Sequence, residues 1–226
     1  EYDKGTLLSF EKEVLGVYIS GHPLDDVAES WRRNVTAVTS DFYVNEEIGM
    51  PNVVDQSLVV IGGMVTGKTV KSTKNNKMMA FIQLEDLLGT VEVIVFPNDY
   101  EKNVQKMEED SKVFIRGKVQ GDADKASKLI CEKIYSFDDV PKELWVQFET
   151  KEDYLTEENE FLKLLSGSRG TDRVIIYVRT PKSIKYLGIE KSVKIDETLL
   201  GKLYEKYGMD NVKVVEKSIE NINKMH

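Results

Sequence analysis

Lys68, Lys71, Lys74 and Lys77 fall within the 14 residues from Thr66 to Met79, a stretch that contains no acidic side chain. Clustered cations without counter-charge suit a phosphate backbone, because each neutralised phosphate releases condensed counterions. A hairpin tip solvated by water has the same composition, so the spacing leaves both readings open. Phe81 and Phe114 could supply the second half of the chemistry. Each lies in an alternating apolar run, where an outward ring would stack on a base and an inward ring would join a core. Arg116, Lys118, Lys125 and Lys128 add cations near the same rim, with Asp122 and Asp124 among them. These ten residues form the candidate nucleic-acid-binding set.

Other chemistries are poorly served. The stretch Gly63 to Thr69 reads G-x-x-x-G-K-T, one residue short of the phosphate-loop spacing, and it lies inside a strand pattern where that motif should open a helix. His22 stands between Gly21 and Pro23 with no nucleophile or carboxylate constellation, as a turn residue would. No catalytic residue is expected. Two histidines and one cysteine offer no zinc spacing, so no metal and no cofactor is expected either. Cys131 alone excludes an internal disulfide and fits a small core position. No run of 18 apolar residues and no secretory leader occurs, so the expectation is a cytoplasmic protein away from membranes. The net charge of -8 speaks against nucleic acid, yet it is unevenly spread. Residues 1–56 hold 4 basic and 11 acidic side chains, residues 57–140 hold 12 and 13, and residues 141–226 hold 15 and 15. Local positive potential can therefore survive a negative total.

The elements that must carry these residues divide 226 residues into three parts. Residues 1–55 read as a helical leader: Leu7, Leu8, Val14, Leu15 and Tyr18 recur at helical intervals, Gly21 to Pro23 break the pattern, and a short helix runs on to Trp31. Ser40 and Asp41 suggest a cap, and Met50 to Asn52 a turn. Two helices alone bury too little apolar surface, so this part reads as the end of something larger. Residues 56–140 hold five strands, at Ser57–Val70, Met78–Asp86, Val91–Pro97, Lys112–Gly121 and Lys128–Phe137. A charged helical connection over Asn98–Asp110 separates the third from the fourth. Val91, Val93 and Val95 alternate with Glu92 and Ile94, a period of two. Five strands with a helix in that place is the order of an OB-fold barrel.

After the acidic stretch Asp138 to Pro141, residues 141–226 predict a small α+β domain. Its strands are Leu144–Glu149, Arg173–Arg179, Lys182–Leu187, Lys191–Ile195 and Asn211–Val215. One helix spans Thr156–Ser166 with Thr156 as cap, and another begins at Asp196, carries Leu199, Leu200, Leu203 and Tyr207, and stops at Gly208. The strand RVIIYVR should be central and covered on both faces. The basic residues Arg173, Arg179, Lys182, Lys185, Lys191 and Lys194 read as solvated strand edges, or as a surface for an acidic partner or DNA.

Glu11, Leu15, Gly16, Tyr18, Ser20, Gly21, His22 and Pro23 form E-x-x-x-L-G-x-Y-x-[ST]-G-H-P upstream of the barrel segment KNNKMMAFIQLEDLLGTVEVIVFPNDYEK. These two pieces in this order resemble the C-terminal region of the bacterial DNA polymerase III alpha subunit. The resemblance implies a non-catalytic piece of a DNA-directed DNA polymerase. Its OB-fold would bind single-stranded template DNA, and its tail would dock the clamp-loader tau subunit among other replisome proteins. The alternatives are an anticodon-binding OB module that prefers RNA, and a protein-interaction scaffold that binds no nucleic acid.

Overall fold

The computed structural model describes residues 18–122 and 125–219 together with Leu8, Phe10, Glu11, Val14 and Leu15; the leader positions Leu7 and Gly16, and Asp124, lie outside them. The chain divides into two compact units, residues 1–139 and 140–226.

In the first unit, β3 (Leu58–Ser72), β4 (Met78–Glu85), β5 (Thr90–Val95), β6 (Lys112–Asp122) and β7 (Lys125–Ser136) close into a barrel of order β3-β4-β5-β7-β6. The predicted alternation is the reason it closes. Val91, Val93 and Val95 point inward with Ile82, Leu84, Ile115, Val119, Leu129 and Cys131, and all are buried. Strand β5 meets β7 in parallel, and every other barrel pair is antiparallel. Helix α2 (Pro97–Asn103) and a 3-10 turn over Val104–Met107 connect β5 to β6, with Met107 fully buried as the plug. This is the OB-fold order. Where β6 bends at its bulge, Gly117 admits the neighbouring strand: a Cβ there would lie 2.3 Å from the Ile130 carbonyl oxygen.

The segment before the barrel is bonded to it. Helix α1 (Ala28–Asn34) lays Trp31 over the outer side of β3 and β6, where the indole Nε1–H donates to the Gly62 carbonyl at 2.7 Å. Gly62 makes room for this, since a Cβ would meet Phe114 at 2.7 Å and Trp31 at 2.9 Å. The Thr36 and Ala37 amides donate to the Val60 carbonyl, and Ala37 and Phe42 join the barrel core. Asp86, buried at the end of β4, accepts from the amides of Thr39 and Leu88 and from the Thr39 hydroxyl. Ser40 and Asp41 lie in a 3-10 turn over Thr39–Phe42 whose capping carboxylate, Asp41, bonds the Val38 amide. Met50 and Pro51 form strand β2 against β1 (Val44–Asn45), so the expected turn is a two-residue ladder there.

In the second unit, β8 (Lys142–Thr150), β9 (Arg169–Thr180), β10 (Ser183–Tyr186) and β11 (Val212–Glu216) form a sheet of order β10-β9-β8-β11. Helices α3 (Lys151–Ser166) and α4 (Glu197–Tyr207) contribute Phe161, Leu165, Leu199 and Leu203 to a core with Leu144, Val146, Phe148, Val174, Ile176 and Val178. Strand β9 is central, as its apolar sequence predicts, with Ile175 also fully buried. Helix α3 begins five residues before the expected start. Thr150, not Thr156, is its cap, bonded reciprocally with Asp153. Residues Lys191–Ile195 do not form a strand. Val193 makes isolated bridges to Arg169 and Asp172, while the Asp172 carboxylate accepts the Ile195 amide and Asp196 already caps α4. The Lys191 and Ser192 amides close a 3-10 turn onto the Gly188 and Ile189 carbonyls, and Asp172 takes the Ile195 amide, so no ladder extends along this segment.

Candidate nucleic-acid interface

The inward phase of the barrel fills its core, so the opposite phase composes its outer face. The registers place Thr69, Phe81, Ile94, Ile130, Lys118 and Leu58 in one row around β3, β4, β5, β7 and β6. Phe81, Ile94 and Ile130 are half-buried, a low apolar platform flanked by Lys118 and Thr69. Lys71, two residues from Thr69 on the same phase, holds its Nζ 4.9 Å from the centre of the Phe81 ring. The β3–β4 connection projects Lys74 and Lys77 beyond this row. It is a defined turn: the Thr73 amide donates to the Lys77 carbonyl, the Lys77 amide to the Thr73 hydroxyl, and Asn76 takes a positive φ of 55°.

The ten predicted residues have different surroundings in the structure. Lys71, Lys74, Lys77 and Arg116 have no ion pair among the described residues, and the three lysines are exposed. Lys68 is bonded to Glu108 at 2.8 Å and Lys128 to Glu92 at 2.6 Å, so their charge is compensated within the fold. Lys118 lies near Asp55, whose carboxyl is held below its ordinary range first by the hydrogen bond from the Gly121 amide and also by the Lys118 charge. Lys125 is exposed at the start of β7. Phe114 is a correction: it is fully buried, stacked on Phe137 with ring centres 4.0 Å apart beneath Trp31, and cannot receive a base. Its strand phase is outward, as a stacking residue requires, but the Trp31 segment covers that part of the barrel.

Sequence reasoning missed four residues of this face. Phe96, expected in core or helix packing, is 45% exposed one residue beyond β5, on the phase of Ile94. Ile94 and Ile130 complete the platform, and only the pairing of β5 with β7 brings them together. Lys133 faces Arg116 across the β6–β7 ladder, moved into that register by the bulge between Arg116 and Gly117. The G-x-x-x-G-K-T stretch lies wholly within β3 and opens no helix. Among the described residues, no group of three or more histidine, cysteine or acidic side chains could hold a metal, and no helix is long and apolar enough to cross a membrane.

The family described as OB-fold nucleic acid binding domain matches residues 59–136, the barrel strands themselves. The DNA polymerase III subunit alpha of Aquifex aeolicus is 34% identical over 138 residues, which cover 61% of this chain and 11% of that protein. The subunit of Mycobacterium tuberculosis is 28% identical over 214 residues, covering 92% of this chain and 18% of its own length. This chain is similar to part of the bacterial DNA polymerase III alpha subunit. The Thermus aquaticus alpha subunit adds 31% identity over 151 residues, 64% of this chain and 12% of the relative. The chain thus spans between about a tenth and a fifth of the length of the alpha subunits it matches. The segment from Glu11 to Pro23 also has a local physical basis. The Glu11 carboxylate accepts from the Ser20 hydroxyl and from the Ser20 and Ile19 amides, and these bonds, the hydroxyl's first, pull its pKa down. The His22 amide donates to Asp25, while His22 Nδ1 accepts from the Leu24 amide. His22 is therefore a turn residue.

Proposed function

We propose that the barrel binds single-stranded DNA as part of a replicative polymerase alpha subunit, with the second unit docking the clamp-loader tau subunit. The observation that carries the first half is Lys71 poised over the half-buried Phe81 ring, beside the uncompensated Lys74 and Lys77. A base stacked on Phe81 and its apolar neighbours would place its phosphates within reach of those ammonium groups, the combination of platform and charge that single strands need. Duplex DNA offers no free base to the platform. The tau half rests on the alpha-subunit similarity, which in the Mycobacterium tuberculosis relative extends over 92% of this chain. A second reading, an RNA-binding barrel, is supported by the anticodon-type OB family that matches residues 59–136.

Fluorescence anisotropy with labelled single-stranded DNA, duplex DNA and RNA of equal length, across a salt series, tests the barrel. Tighter binding to single-stranded DNA with a steep salt slope is expected. Preference for RNA would favour the anticodon-type reading, and absence of binding to all three would leave a protein scaffold. Binding of the purified tau subunit to the chain, with and without residues 140–226, tests the tail.

A further inference from the structure

Helices α3 and α4 cover one face of the second unit's sheet, and the other is open only in part, since Ile175 there is fully buried. On the opposite face the registers place Lys213, Trp145, Ile175 and Tyr186 in one row, and Gln147, Tyr177 and Ile184 in the next. Tyr186 is 61% exposed and Ile184 50%. Trp145, Tyr177, Gln147, Asn211, Asp210 and Lys213 line a shallow cleft on this face. The indole is held in place: its Nε1–H donates to Glu143 at 3.0 Å, and Glu143 is anchored in turn by Lys217 at 2.9 Å. Gln147 Nε2 donates to Asn211 Oδ1 at 3.0 Å, so the amide edge is fixed as well. Among the described residues neither Lys213 nor Arg173 has an ion pair, and Asp210 has no hydrogen-bonding partner.

We propose that this sheet face is a second single-stranded nucleic-acid site, in which a base stacks against Trp145 and Tyr177 while Lys213 meets the adjoining phosphate. Aromatic rings borne on adjacent strands of an open sheet are a stacking surface for splayed bases. The remaining capacity of the Gln147 and Asn211 amides and the Asp210 carboxylate would bond the base edge, the carboxylate accepting from ring or exocyclic N–H groups. The chief rival occupant is an arginine of a protein partner, which aromatic rings and Asp210 would also attract. Lys213, directly opposite Trp145 in the β11–β8 register, repels it, and this charge decides between the two. The site belongs to the second unit and does not rest on the barrel's activity.

The chain's two tryptophans separate the signals, because Trp31 is buried at 6% exposure and Trp145 borders the cleft. Titrating the full chain with a short unlabelled single-stranded DNA should quench tryptophan emission, and Trp145→Phe should abolish the quench without changing the thermal transition. Tyr177→Ala should weaken the titration roughly tenfold, the loss of one stacking partner. Lys213→Glu should lower its logarithmic salt slope by about 0.7, the share of one phosphate. Lys71→Ala, Lys74→Ala and Lys77→Ala together should leave the quench in place. Disappearance of the quench in that barrel variant, or its absence in the unaltered chain, would overturn the second site. Quenching by an arginine-rich peptide and not by DNA would assign the cleft to a protein partner. Emission that changes with chain concentration alone would assign it to a second copy.

Discussion

Phe81 and Phe114 are the same residue type on the outward phase of barrel strands, and they have opposite fates. Phe114 lies under Trp31 and against Phe137, so it stabilises the fold, whereas Phe81 stays half-buried beneath an ammonium group. Phe81→Ala should therefore weaken single-strand binding by about 1–3 kcal/mol, the worth of one base–aromatic stack, while Phe114→Ala should lower stability. Binding isotherms paired with denaturant melts distinguish the two. Cys131 gives a sharper residue-level test. Burial pushes its thiol up to about 12, so at neutral pH the reactive thiolate is nearly absent and the sulfur is out of reach. A thiol-specific chromogenic reagent should leave the native chain unmodified and label one group after denaturation; rapid labelling of the native state would contradict the core position.

At the scale of elements, the β3–β4 connection matters because its charges are uncompensated while its backbone turn is closed by Thr73 and Lys77. Replacing Lys71, Lys74 and Lys77 together by Ala should keep the fold, since all three are exposed. The logarithmic salt slope of single-strand binding should fall by about 2, at roughly 0.7 per phosphate, as measured by anisotropy over a salt series. An unchanged slope would place the phosphates elsewhere. The end of β6 carries a pH dependence of known sign. Asp55 has its carboxyl pKa lowered mainly by the Gly121 amide, so the ionised form is the one the fold favours. Its contribution is fully present above the ordinary carboxylate range and is lost as pH falls through the depressed folded value. The Gly121 amide resonance should titrate in acid below the range of a free aspartate, and Asp55→Asn should remove that titration.

For the molecule as a whole, the two units have separate cores, one inside the barrel and one between the second sheet and its helices. Ile176 is fully buried in the second. Ile176→Asp would bury an uncompensated charge at a cost of about 3–5 kcal/mol or more, comparable with the whole stability of a small domain. Calorimetry should then show the tail transition lost and the barrel transition retained, with single-strand binding by the barrel nearly unchanged. Loss of both transitions would mean that the units fold as one.

The sequence by itself determined the barrel, because a period of two with β-branched residues on one phase dictates which side chains turn inward. That is why Val91, Val93 and Val95, the central strand β9 and the cap of α4 could be read directly. It also supplied the acid-free lysine cluster, a property of local composition. Tertiary structure alone decided which outward positions remain open. The indole of Trp31, 31 residues before Gly62, covers Phe114. Glu108, 40 residues after Lys68, removes that lysine's charge from the surface. Pairing of β5 with β7 assembles Phe81, Ile94 and Ile130 into one platform. The helix start at Thr150 and the missing strand at Lys191–Ile195 were decided by Asp153 and Asp172, whose carboxylates capture backbone amides. Strand phase is a local property, and it separates the two sides of a strand. Exposure depends on what returns from elsewhere in the chain to cover each side, and that information is carried by long-range contacts that no periodicity contains.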